Sequence, residues 1–343
     1  MKATSLKTAA LLAGSIALLA GNATAQATSG VVGYETLDYG VGFTALGLRL
    51  HETPLAAGTL ETVTVTTAED ADVDLGALIV SGTYILEIED GSGIIQEVTS
   101  ATGSVLNVAD LSGVAPGAAY TLRHAASLAT VFGAANESGL VAGNGNTGGA
   151  DLIWAPDGTG GYNKYYYDNF APPLYTTAGW AIVDASPAGS SAIDGAATDL
   201  IYADGIVMNS AAGGTLVVTG DLKTAETELN LIAGFNFVSS MNPAGGTLAV
   251  NFGAGVGLAP GNGNTGGADQ IWLPDGAGGY DKYYYDNFAP PLYTTAGWAI
   301  VDASPAGSSA VDGSTISLPS GIIVSSIAGG NLVESVPGSY TGL

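Results

Sequence analysis

The chain contains no cysteine. That excludes disulfides, thiolate metal sites, a thiol nucleophile and a lipid anchor on a thiol, so stability outside the cell must come from packing, assembly or bound ions. Basic residues are scarce: seven Lys and Arg stand against 31 Asp and Glu, for a net charge of −24. A surface of that sign repels nucleic acid and anionic membranes, which excludes both as partners. Histidine is limited to His51 and His124, neither in a recognisable motif, so a serine–histidine hydrolase lacks a base beside its nucleophile. The glycine-rich loops lack the Gly-Lys-Ser/Thr ending of a phosphate loop and do not open a helix. Long hydrophobic runs are missing as well. Apolar residues from Ala9 to Ala20 fall short of the ~20 needed to cross a bilayer as a helix, and no later segment is longer.

What precedes and follows that short run reads as a secretory leader. Lys2 and Lys7 come before it, and Ala23-Thr24-Ala25 closes it with a small-x-small cleavage pattern, so residues 1–25 are expected to be removed and the mature chain to begin near Gln26. Export to the periplasm, the cell surface or the medium is the expected location. Without Lys2 and Lys7, five cations remain against the same 31 acids, about −26: Arg49, Arg123, Lys164, Lys223 and Lys282.

Glycine is abundant, at 52 residues, without the three-residue period of collagen and amid plentiful apolar residues. This is the composition of many short strands joined by tight turns. Thr59 to Thr66 alternates apolar and polar positions with β-branched side chains, the period of a half-buried strand. Tyr84 to Glu89 runs into Asp90-Gly91-Ser92-Gly93 and then Ile94 to Val98, a hairpin turned at Asp-Gly. Ala119 to His124 is a further strand, and Ser127 to Phe132 has room for one short helix.

The dominant feature is a duplication. Residues 143–195 recur as residues 261–313 with five substitutions: Leu152 to Gln270, Ala155 to Leu273, Thr159 to Ala277, Asn163 to Asp281 and Ile193 to Val311. Each copy opens with a Gly/Asn loop, Gly143 to Gly149 in the first, and continues into a hairpin whose arms are Asp151 to Trp154 and Tyr162 to Tyr167. In an extended second arm, Tyr165 and Tyr167 share one face and Tyr162, Lys164 and Tyr166 the other. Strands at Gly205 to Met208, Thr215 to Thr219 and Leu229 to Ile232 close the first copy, and Gly321 to Val324 and Asn331 to Val333 are their counterparts in the second. A fainter echo precedes the blocks: Gly42-Phe43 leading to Gly58-Thr59-Leu60, and Gly234-Phe235 leading to Gly246-Thr247-Leu248.

The run from Gly33-Tyr34 through Tyr84, Leu128 to Gly133, Ala150 to Trp154, the tyrosine strand, Gly179-Trp180 and Gly234-Phe235-Asn236 resembles a family of exported, β-rich proteins of unknown function found mainly in verrucomicrobia. The resemblance covers nearly the whole mature chain through short, glycine-dominated motifs. It implies an exported β-protein and supplies no catalytic or binding residues. The near-perfect duplication departs from that family's pattern.

The expected fold is all-β: an N-terminal β-domain over 26–136, then two tandem β-sandwich-like or small-barrel modules over 137–232 and 233–343. Two candidate sites follow from the repeat. Tyr165, Tyr166, Tyr167 and Trp180, with Tyr283, Tyr284, Tyr285 and Trp298, would make two sugar-stacking platforms if exposed, or core if buried. Asn144, Asn146, Asp151 and Asp157, with Asn262, Asn264, Asp269, Asp275 and Asp281, offer hard oxygen ligands for calcium, although no spacing matches an EF-hand. A carboxylate pair for glycoside hydrolysis stays open, because its separation is a three-dimensional quantity. The reading is a non-enzymatic structural or adhesive protein of the cell surface or extracellular space, acting by self-assembly or on polysaccharide through the duplicated surface. The alternative is a calcium-assisted carbohydrate-binding protein with two tandem sites, and an enzyme comes third.

Overall fold

The computed structural model describes residues 32–169, 178–186, 189–244, 246–277, 279–287, 296–304 and 307–340. The leader expected over 1–25 lies outside the described residues. The fold is all-β, built from antiparallel sheets, none of which closes into a barrel. Residues 31–343 form one compact unit.

The first half opens with β1 (Val32–Tyr39) and β2 (Gly42–Leu46). An inserted segment then carries β3 (Ala56–Thr59), β4 (Thr62–Val63), β5 (Thr67–Glu69), the one-turn helix α1 (Leu75–Leu78), β6 (Tyr84–Ile88), β7 (Ile95–Glu97), β8 (Ser100–Thr102), β9 (Val105–Asn107) and β10 (Ala119–His124). The main body resumes with β11 (Ala126–Ser127), α2 (Leu128–Phe132), β12 (Leu152–Pro156), β13 (Tyr162–Asp168), β14 (Gly179–Val183), β15 (Ser190–Ala192), β16 (Asp199–Leu200), β17 (Ile206–Ser210) and β18 (Gly214–Asp221). The second half runs β19 (Thr227–Leu231), β20 (Gly234–Ser239), α3 (Leu248–Phe252), β21 (Gln270–Pro274), β22 (Tyr280–Asp286), β23 (Gly297–Val301), β24 (Ser308–Ala310), β25 (Gly321–Ser326) and β26 (Gly330–Glu334).

The duplication is longer in space than in sequence. One six-stranded sheet has the order β15-β14-β13-β12-β17-β2 and the other β24-β23-β22-β21-β25-β20. Each half adds a two-stranded ribbon, β1 with β18 and β19 with β26. The Gly-Phe part of the faint echo therefore marks a real equivalence, since β2 and β20 hold the same edge position. The Thr-Leu part does not. Thr247 caps α3, whose counterpart is α2 capped by Ser127, while Thr59-Leu60 lies in the insertion. β19, expected to close the first copy, opens the second, and the segment expected as an N-terminal domain is divided between the first half, which takes β1 in its ribbon, β2 in its six-stranded sheet, and β11 and α2, and the insertion.

The insertion has its own small core. Two four-stranded sheets, β3-β10-β6-β7 and β4-β5-β9-β8, enclose Leu60, Leu75, Leu86, Leu106, Tyr120 and Leu122. The expected hairpin is present, with Leu86 opposite Gln96. The expected single strand at Thr59 to Thr66 is instead broken: β3 ends at Thr59, and the Thr64 hydroxyl accepts the Thr67 amide (3.0 Å) in a turn between β4 and β5. Threonine side chains that bond their own backbone favour a turn over a continued ladder.

One core spans both halves, uniting Ile153, Tyr165, Met208 and Leu216 with Ile271, Tyr283, Val324 and Leu332. The halves meet reciprocally. Gly205, before β17, donates its amide to Phe237 of β20 (2.9 Å), and a Cβ there would lie 2.8 Å from the Val238 amide nitrogen. Gly321, the first residue of β25, abuts β2 in the same way, with its Cβ position 2.5 Å from the Leu46 nitrogen. Only glycine admits backbones this close. Among the described residues no helix is long and apolar enough to cross a membrane.

Candidate functional site

The tyrosine strand alternates as the sequence requires, but both of its faces are covered. Tyr165 and Tyr167 point into the shared core with Trp180, as do Tyr283, Trp298 and the partly buried Tyr285. Tyr166 and Tyr284, on the opposite face, are fully buried against Ala150 and Ala181 and against Ala268 and Ala299. The Gly/Asn loop makes that second cover. The Gly143 amide donates to the Tyr167 carbonyl (2.7 Å), and a Cβ on Gly143 would lie 2.6 Å from the Tyr166 ring. The expected sugar-stacking platform at Tyr165, Tyr166, Tyr167 and Trp180, and its copy at Tyr283, Tyr284, Tyr285 and Trp298, is corrected toward core: all are buried but Tyr285, which is partly buried against the same core.

The expected calcium ligands are likewise engaged in holding loops. Asp151 is buried and its Oδ2 accepts the Val141 amide (2.9 Å), while Asp269 accepts from Ala259 (2.9 Å) and from Ile327 (2.7 Å). Asn146 and Asn264 accept the amides of Gly148 and Gly266, and exposed Asn144 and Asn262 sit beside them. Asp157 and Asp275 close the hairpin tips by accepting from Gly161 (2.9 Å) and Gly279 (2.8 Å), and Tyr283 donates to Asp281. The strand β12 separates Asp151 from Asp157 by roughly 20 Å at ~3.3 Å per residue, whereas calcium ligands lie at about 2.3–2.6 Å from one ion. One ion cannot bridge Asp151 and Asp157, so the residues named for calcium do not form a single site within a copy. Among the described residues, three carboxylates do converge elsewhere, at Glu61, Asp70 and Asp72, with oxygens within 4.8 Å of one another.

What the sequence reading missed lies on the outward faces of the two sheets. Trp154 on β12 stands directly opposite Lys164 on β13, whose ammonium sits 4.2 Å from the indole centroid. Phe43 from β2, two strands away, meets the same indole edge-on at 5.2 Å between centroids. The second half repeats each element: Lys282 lies 4.0 Å over Trp272, and Phe235 from β20 packs edge-on at 5.0 Å. Phe43 and Phe235 remain 58% and 54% exposed, so each group is an open surface rather than core. Tyr162 of the first face packs on Phe237 of the second (5.4 Å), joining the two. The signal was present in the alternation, because Ile153 and Tyr165 inward place Trp154 and Lys164 outward, and the paired Gly-Phe motifs locate the third member.

These lysines are singular in charge. Arg49 pairs with Glu35, and Arg123 and Lys223 are buried around Glu87, leaving Lys164 and Lys282 as the described cations without a carboxylate partner in an ion pair. The Glu87 cluster is a peg between the insertion and the body. Its carboxylate accepts from Arg123 Nε (3.1 Å) and the Tyr202 hydroxyl (2.7 Å), with Lys223 Nζ at 4.0 Å. Burial opposes the charge, yet Lys223 and Arg123 hold the Glu87 carboxyl below its usual range. His51 stacks edge-on with Tyr202, and burial pushes its pKa down to about 3, so it is neutral there. His124 directs both ring nitrogens at backbone carbonyls, so neither histidine is placed as a base beside a nucleophile.

A cleft of about 370 Å³ where the insertion meets the body carries Glu97, Asp204 and Glu228 over an apolar floor of Ile85, Ile201 and Val238. Burial, and then the charge of Glu97, raise Asp204 to about 6. Comparison with protein-family models, curated proteins and solved structures finds no match for this chain.

Proposed function

We propose that this is an exported, non-enzymatic structural or adhesive protein of the cell surface or extracellular space, working through the paired outward faces centred on Trp154 and Trp272. The observation that carries the reading is the repetition of an open Phe–Trp–Lys group in both halves, with the two described cations that have no ion-pair partner placed over its indoles in an acidic chain. Exposed aromatic rings are enriched at binding surfaces and their hot spots. Two such faces on one chain convert weak contacts into avid ones, which favours adhesion over catalysis. The leader pattern at residues 1–25 and the resemblance to exported β-proteins support the location.

The test uses beads coated with the mature chain, scored for retention on a panel of polysaccharide surfaces and for clustering with each other. Retention or clustering that disappears in Phe43→Ala/Phe235→Ala, with the fold intact, supports the reading. Adhesion unchanged by that pair refutes it.

A further inference from the structure

Taking the Trp154 and Trp272 faces as the binding surfaces, we propose that their occupant is a second copy of this chain, which brings the exposed carboxylates of Glu61 and Asp72, beside buried Asp70, onto Lys164 or Lys282. The charge distribution is complementary within one sequence. Lys164 and Lys282 are the described cations left without an ion-pair partner, on a chain whose net charge is −24. Within the insertion, Glu61, Asp70 and Asp72 bring three carboxylate oxygens within 4.8 Å, and no ion pair among the described residues neutralises them.

Asp70 is fixed there by the Tyr120 hydroxyl (2.7 Å) and the Asp72 amide (3.0 Å), while Glu61 and Asp72 stay exposed. Three like charges held together repel one another, and a lysine ammonium, with three donors and one positive charge, relieves that repulsion. Each copy carries one acidic cluster and two receiving faces. The contact is therefore heterologous, which builds rings or open strings of copies.

Net charge sets the salt dependence. Two chains near −24 repel over long range at low ionic strength, whereas close pairs survive once that field is screened beyond ~8 Å and are themselves weakened near 1 M, where the screening length is ~3 Å. Association is thus expected to peak at intermediate salt.

Sedimentation velocity of the mature chain across concentration and ionic strength tests this directly. Lys164→Glu/Lys282→Glu and Glu61→Lys/Asp72→Lys should each weaken association by about tenfold or more, and mixing the two variants should restore it, because reversed faces then meet reversed clusters. If charge reversal disturbs the fold, Lys164→Gln/Lys282→Gln reports the same loss. A wild-type chain that stays monomeric at every salt, or variants that associate undiminished, or a mixture that does not recover, overturns the inference. A monomer whose coated beads still bind polysaccharide through Phe43 and Phe235 overturns the second copy as occupant but leaves the adhesive reading standing. Loss of both sinks the two together.

Discussion

The ammonium of Lys164 lies 4.2 Å from the centre of the Trp154 ring, held there by direct pairing of β12 with β13. A half-buried cation over an indole contributes about 1 kcal/mol, and its four-carbon stem covers apolar surface as well. Lys164→Ala and Lys282→Ala should each cost about that much in urea melts, and tryptophan emission should shift as water reaches the ring. A change of several kcal/mol would mean that the lysines are structural pegs, not members of an open face.

The tyrosine strand leads to the opposite expectation. Tyr165, Tyr166 and Tyr167 are all buried, as are Tyr283 and Tyr284, so no member of the strand is silent. Replacement of Tyr165, Tyr166 or Tyr284 by Ala should each cost about 3–5 kcal/mol, the scale of a large aromatic lost from a packed core. A stable Tyr166→Ala protein would show that the Gly143–Gly149 loop does not roof that ring.

Glu87 neutralises two buried cations at once. Glu87→Gln leaves Arg123 and Lys223 uncompensated, and should cost about 3–5 kcal/mol. Hydrogen exchange should rise first in β6 and β10, where the insertion is pinned to Tyr202 and Lys223 of the body. Uniform loss of protection across both halves would contradict a local peg.

Glu334 sets a pH dependence of known sign. Its Oε1 accepts from Asn251 (2.6 Å), Met241 (2.8 Å) and Asn242 (2.9 Å), and burial pushes its pKa up to about 7 from 4.5. The folded chain therefore keeps a proton that the unfolded chain releases within that window, so this group's contribution to stability falls as pH rises through it and is flat above. His51 works in the other direction, from about 3 to 6.5, but identically in wild type and variant. The difference between Glu334→Gln and wild type should then grow across pH 4.5–7 toward about 3 kcal/mol in favour of the variant. Parallel curves would place Glu334 in a wetter site than its burial indicates.

Much of the local structure is legible in the sequence, because hairpin partners are close along the chain. The β12–β13 pairing and the inward and outward sets on it follow from alternation and an Asp-Gly turn. The β1–β18 ribbon pairs Asp38 with Thr215, and nothing in either strand encodes a partner so distant. The insertion is hidden for the same reason: only the Gly-Phe echo ties β2 to β20, and the intervening segment reads like any other β-rich stretch. Glu87 alternates as a solvent-facing residue would, yet it is fully buried because the insertion lays that face of β6 on the body. The aromatic block misled most, since alternation assigns Tyr166 to the face opposite the core but says nothing of the loop that covers it.

The central claim is that two equivalent open faces act together. Adhesion of beads carrying wild type, Phe43→Ala, Phe235→Ala or both changes, read beside the melting temperature of each protein, addresses it most directly. Because both rings are more than half exposed, melting should stay within a few degrees throughout. Either single change should weaken adhesion far more than twofold as avidity is lost, and the double change should abolish it. Full adhesion by the folded double variant would contradict the account.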